Sequence, residues 1–65
     1  MENKLWIYRK QKNMSLKELS RYTGISVSEL NAIENGFTND ILLSNAIRLS
    51  KALHVDIYEL FCIKK

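Results

Sequence analysis

The stretch SLKELSRYTGISVSELNAIENG, Ser15 to Gly36, sets two apolar-periodic segments only four residues apart, and that spacing limits the fold more than any other feature of the chain. Ser15 with Glu18 three residues on is a capping box that starts a helix at Leu16. Leu16, Leu19 and Tyr22 then recur at helical spacing. Ser26 is a good N-cap for the next helix, whose apolar positions are Val27, Leu30 and Ile33. A connection as short as Thr-Gly-Ile-Ser forces a sharp corner between the two. Such a corner needs one residue at positive φ, and Gly24 adopts that conformation without a Cβ penalty. Ser20 is small enough to let the second helix of the pair approach the first. Leu19, Ile25, Leu30 and Ile33 are expected to pack inside the corner. In "ENG", Gly36 is expected to take the left-handed conformation that ends a helix. The chemistry is that of a helix-turn-helix.

Around this corner the remaining pattern is helical as well. A first helix is expected from about Asn3 to Lys12, with Leu5 and Tyr8 on one face and Trp6 and Ile7 beside them. A fourth is expected from Asp40, the best cap available there, to His54. Leu43, Ala46, Ile47, Leu49, Ser50 and Leu53 supply its inward side. A fifth is expected over Asp56 to about Ile63, with Ile57, Leu60 and Phe61 facing in and Asp56 with Glu59 as a partial capping box. The absence of proline and the presence of only two glycines favour this all-α reading. With 65 residues the chain is expected to be a single domain, 1–65, with a thin core.

Composition excludes several functions. Cys62 and His54 are the only cysteine and histidine, so neither an internal disulfide nor a metal site is expected. There is no apolar run near the roughly 18 residues of a membrane span and no signal-peptide pattern. With the lone cysteine, this points to a cytoplasmic location. No phosphate loop, no paired His/Cys or Ser/His arrangement and no plausible cleft suggest an enzyme, and no cofactor or small-molecule ligand is expected. The net charge of +3 permits a nucleic-acid partner without demanding one.

The order of these pieces resembles the Cro/CI-type (XRE) repressor family of bacterial and phage helix-turn-helix domains. "LKELS" followed by "GIS" is similar to the family's first motif helix and turn. "SELNAIENG" is similar to its third helix and "LSKALHVDIYELF" to its last two. The likeness runs from about Lys4 to Phe61. It implies a five-helix, lambda-repressor-like fold with helices two and three as the motif. It also implies an internal ion pair between Arg9, late in the first helix, and Glu34, at the end of the third. This chain departs from the family pattern at several places. Leu16 stands where glutamine often contacts phosphate, Phe37 where a polar or basic residue is common, and Ile41-Leu42 where Pro-Ser is common. His54 stands where glycine is common, so it is expected to be left-handed.

A helix-turn-helix presents its second helix to the DNA major groove, N-terminal end first. The base-reading candidates are therefore Val27, Ser28, Asn31 and Ala32. Ser28 offers a donor and an acceptor, Asn31 suits adenine, and Val27 and Ala32 suit a thymine methyl. Glu29 is expected on the flank. With no arginine on this surface, readout is expected to lean towards A·T pairs or DNA shape. Phosphate contacts are expected at the two helix starts, Ser15 and Ser26, from Lys17 and Arg21, and from Asn35, Thr38 and Asn39 of the loop. Val55, Ile57, Tyr58, Cys62 and Ile63 are more apolar than one helix face buries, unless they pack on Trp6 and Ile7. They are the expected homodimer surface. The expected function is a stand-alone, sequence-specific DNA-binding transcriptional regulator, a repressor acting as a dimer on an inverted repeat. The alternative, motivated by Leu16 and the arginine-free helix, is an antitoxin-like or regulator-binding protein-interaction module.

Overall fold

In the computed structural model, which describes residues 1–64, the chain is all-helical: α1 Leu5–Gln11, α2 Leu16–Thr23, α3 Val27–Glu34, α4 Leu43–Leu53 and α5 Ile57–Leu60. The five helices surround one core of Leu5, Leu19, Ile25, Leu30, Ile33, Ala46, Leu49, Leu53, Leu60 and Phe61. Leu19, Ile25, Leu30 and Ile33 thus all lie inside the α2–α3 corner.

All five helices stop by the same device, a residue in the left-handed region just past the last turn. Gly24 (φ +75°) ends α2, its N–H meeting the Ser20 carbonyl at 2.8 Å. After α3, Gly36 (φ +73°) donates to Ile33 O at 3.0 Å and Phe37 donates to Ala32 O at 2.9 Å, the pair of bonds that defines a Schellman motif. The same pairing recurs at Asn13 (φ 55°) after α1, His54 (φ 56°) after α4 and Cys62 (φ 56°) after α5. Three of the five stops therefore carry a Cβ where glycine would be free of strain.

Three expected boundaries are corrected, two of them by these stops. The Cys62 stop limits α5 to Ile57–Leu60 rather than Asp56 to Ile63, and the Asn13 stop ends α1 at Gln11. At the other end, α4 begins at Leu43 after an N-cap at Leu42 that makes no side-chain bond, so Asp40 does not cap it. The Asp56–Glu59 capping box is half formed. Asp56 Oδ1 accepts from the Tyr58 N–H at 2.7 Å, but the Glu59 carboxylate is turned to Lys4 Nζ and Tyr8 OH, each 2.9 Å away.

Two inward faces also differ from expectation. On α2, Tyr22 is 76% exposed and Thr23 is buried in its place. A step of four from Leu19 stays closer to one helix face than a step of three, and Thr23 fits the site because its hydroxyl donates to Leu19 O at 2.8 Å and accepts from Ile25 N–H at 3.2 Å. On α4, Leu43 (70%) and Ile47 (40%) are exposed, while Asn45 is buried on the stripe it shares with Leu49 and Leu53. Ser50 ties down the α4–α5 turn, accepting from Val55 N–H on its carbonyl at 3.0 Å and donating from its hydroxyl to Val55 O.

Candidate nucleic-acid interface

The corner places α3 with one face in the core and the other outward. Ser26, extended at φ −62° and ψ 152°, caps it by accepting from Glu29 N–H at 3.1 Å. Leu30 and Ile33 are buried on the inner face. Val27, Ser28, Glu29 and Asn31 are exposed, and Ala32 is half-buried at the edge. The outward row therefore combines an apolar side chain, a hydroxyl, a carboxylate and a carboxamide.

Both ends of α3 are braced from other elements. At its far end, Glu34 takes Arg9 in a two-pronged ion pair, Nε to Oε2 at 2.8 Å and Nη2 to Oε1 at 2.9 Å. The third guanidinium nitrogen donates to Met14 O at 2.7 Å. Only 10% of the Arg9 side chain and 7% of the Glu34 side chain are exposed. Asn3 adds a second brace there, donating to Ile33 O at 2.7 Å while its Oδ1 accepts from Leu5 N–H at 3.0 Å. At the near end, Asn45 of α4 donates to Glu29 Oε2 at 3.0 Å. Asn3 and Asn45 were absent from the sequence-derived candidates. For Asn45 a signal existed: a lone carboxamide four residues before Leu49, on an otherwise apolar stripe, needs a polar partner.

The helix starts differ in what they offer an anion. At α2, Ser15 Oγ accepts from Glu18 N–H and Glu18 Oε1 accepts from Ser15 N–H, both at 3.0 Å. The Ser15 backbone N–H, with the Ser15 hydroxyl beside it, holds the Glu18 carboxyl below its ordinary pKa, and Arg21 adds a smaller pull in the same direction. A charged carboxylate therefore already occupies part of this helix terminus, and a phosphate has to share it. Lys17 and Arg21 are exposed on α2.

In the loop after α3, Thr38 is half-buried and its carbonyl accepts from the Met1 amine at 2.8 Å, while Asn39 is exposed. Asn35 directs its side-chain amide back at Asn31, to the carbonyl at 2.8 Å and to Oδ1 at 3.0 Å. Its backbone N–H is also engaged with Asn31 O. Phe37 (78%) and Leu42 (69%) stand exposed on the same connection, with Leu43 just inside α4.

Of the expected dimer residues, Val55 and Ile57 pack partly against the core, and Tyr58, Cys62 and Ile63 are exposed. Trp6 and Ile7 are about half exposed, and the Lys10 ammonium lies 5.8 Å from the Trp6 ring centroid.

The profile of the helix-turn-helix family matches residues 7–60. The chain belongs to the XRE helix-turn-helix family. Three solved structures of another family member, SinR, are similar to it at 29% identity over 85% of this chain. One is SinR, described as the master regulator for biofilm formation, in complex with DNA, with TM-score 0.79 and 87% of that chain covered. Another is the N-terminal DNA binding domain of SinR from Bacillus subtilis, with TM-score 0.79 and 80% covered. In the SinR–SinI complex the TM-score is 0.80, and this chain spans 53% of the SinR chain. No curated protein sequence matches closely enough to be named a relative. The family and fold are those of a DNA-binding regulatory domain, which is not an enzyme class. Among the described residues no helix is long and apolar enough to cross a membrane.

Proposed function

We propose that this chain is a sequence-specific DNA-binding transcriptional regulator, a repressor, that lays α3 in the major groove as a homodimer on an inverted repeat. The observation that carries the reading is the outward row of α3. Val27, Ser28 and Asn31 are exposed on a helix whose other face and both ends are fixed by the rest of the protein. A rigid helix with donors and acceptors facing outward is what major-groove readout requires. The likeness to SinR, solved on DNA, supports the same use here.

In this reading Ser28 and Asn31 meet base edges, and Val27 and Ala32 meet thymine methyls. Ser15, Ser26, Lys17, Arg21, Thr38 and Asn39 lie along the phosphates. Asn35 joins them only if its bonds to Asn31 open, because both of its amide hydrogens and its N–H are already engaged. Two copies meet through Tyr58, Cys62 and Ile63, with Val55 and Ile57 beneath them.

Selection from a pool of randomised duplex DNA at low salt tests the proposal. Enrichment of an inverted repeat is the expected result. Retention that depends on salt but enriches no sequence refutes sequence-specific regulation. A second reading, a protein-interaction module, draws on the exposed Phe37, Leu42 and Leu43 beside α3 and on the likeness to SinR in its complex with SinI. Binding to a protein partner with no retention of DNA would favour it.

A further inference from the structure

Asn31 is the one carboxamide on the outward row of α3, and it does not stand alone. Asn35, one turn later, gives one amide hydrogen to the Asn31 carbonyl and the other to Asn31 Oδ1. This uses the whole donor capacity of the Asn35 side chain on a single residue. The bond to Oδ1 also settles which way the Asn31 carboxamide is turned. Its oxygen faces the C-terminal end of the helix, towards Asn35, and its Nδ2 hydrogens face away from it. Asn31 keeps both hydrogens of Nδ2 and one lone pair of Oδ1. That is the set needed to donate to adenine N7 and accept from adenine N6.

Resting on the base-reading role of α3 proposed above, we infer that Asn35 is a positioning residue for Asn31. It fixes the carboxamide with its donor side presented to the groove, and so sets the preference for adenine at one base pair of each half-site. A free carboxamide flips between two orientations, of which one presents the wrong atom to N7. Asn35 removes that choice before DNA arrives, and discrimination gains because less ordering remains to be done on binding.

The test uses the full chain with Asn31→Ala, Asn35→Ala and the double variant. The probes are the half-site recovered by selection from randomised duplex DNA, its single-base-pair variants, and an unrelated duplex. Both side chains are exposed, so all three variants should melt within a few degrees of the native chain. Asn31→Ala should lose about tenfold in preference at one base pair. Asn35→Ala should lose several-fold at that same base pair and at no other. The double variant should be no worse than Asn31→Ala alone, and binding to the unrelated duplex should keep its salt dependence.

Three results overturn the inference while leaving base reading by Asn31 intact. Asn35→Ala could weaken all duplexes equally at an unchanged salt slope, which marks a contact from this neutral side chain to phosphate. It could leave the Asn31 base pair untouched, or its loss could add fully to that of Asn31→Ala. If Asn31→Ala keeps full discrimination everywhere, or if no half-site is recovered, the base-reading proposal fails and the inference with it.

Discussion

Arg9 and Glu34 join residues 25 apart in sequence and close the end of α3 onto α1. Replacing Arg9 by alanine strands the Glu34 carboxylate in a site where only 7% of it meets water. Breaking one partner of a buried pair costs about 3–5 kcal/mol. The lost bond to the Met14 carbonyl adds about 1 kcal/mol. At about 0.05–0.15 kcal/mol per residue, a chain of 65 residues has roughly 3–10 kcal/mol of stability in total. Arg9→Ala should therefore remove from about half to all of it, and any remaining transition should fall by at least about 15 °C.

The companion experiment replaces the pair. Arg9→Met with Glu34→Leu fills the same space without charge, and should return to within about 1–2 kcal/mol of the native chain, because an apolar substitute for a buried ion pair is close to neutral. Helical circular dichroism against temperature and urea reads both. The reasoning fails if Arg9→Ala melts like the native chain, or if the double replacement is as unstable as the two single changes combined. The second outcome would mean that the carboxylate was never desolvated at a cost.

Four further outcomes are expected. Gly24→Ala should cost about 1–2 kcal/mol through backbone strain alone, since φ is +75° and an added Cβ meets nothing within 4 Å; urea midpoints with an unchanged slope would check this. His54→Gly should stabilise by about 0.5–1 kcal/mol, because it relieves a left-handed residue at some cost in chain entropy, and an unchanged or lower melting temperature would contradict it. Glu59 is held below the ordinary carboxylate pKa, first by its hydrogen bond from Lys4 and then by that from Tyr8; a depressed folded pKa gives stability that is present above the unfolded value and lost as pH falls through the folded one, so Glu59→Gln should flatten the decline in urea midpoint below about pH 4.5. For DNA binding, Lys17→Ala should make the slope of log K against log salt shallower by about 0.9 if Lys17 neutralises one phosphate, with no change in sequence preference.

The corner was legible in sequence because its cause is local. Four residues between two helices require a left-handed position, and a glycine stood there. The other stops were harder to see. Cys62 does the work of glycine with a side chain that nothing marks for a positive φ, Asn13 does so with a residue that tolerates it but is equally common in turns, and His54 is expected only through the family resemblance. The sequence pattern therefore runs three residues past the end of α5. A step of three from Leu19 looks helical and points to Tyr22, whereas the buried position is four residues on, at Thr23, a polar residue that satisfies its own hydroxyl. The braces at α3 depend on contacts between distant residues, Asn3 with Ile33 and Asn45 with Glu29; the lone carboxamide on the α4 stripe marks Asn45 as needing a partner, but no local pattern names Glu29 or reports the Asn3 contact.

The proposed dimer also follows from what α3 lacks. Its outward row has no cation, and the start of α2 is already shared by Glu18. Counting Lys17 and Arg21 as the phosphate contacts of one copy gives a salt slope of only about −1.8, shallow for a specific DNA-binding protein. Neutral readers such as Ser28 and Asn31 discriminate between bases but gain little from released counterions. A single copy would therefore read sequence while holding DNA weakly. Two copies joined at α5 double both terms, and the second half-site is met at the effective concentration set by the first. Changing Tyr58 and Ile63 to polar residues should then weaken binding to an inverted repeat far more than binding to one half-site. Equal losses on both probes would place the source of affinity within the single copy.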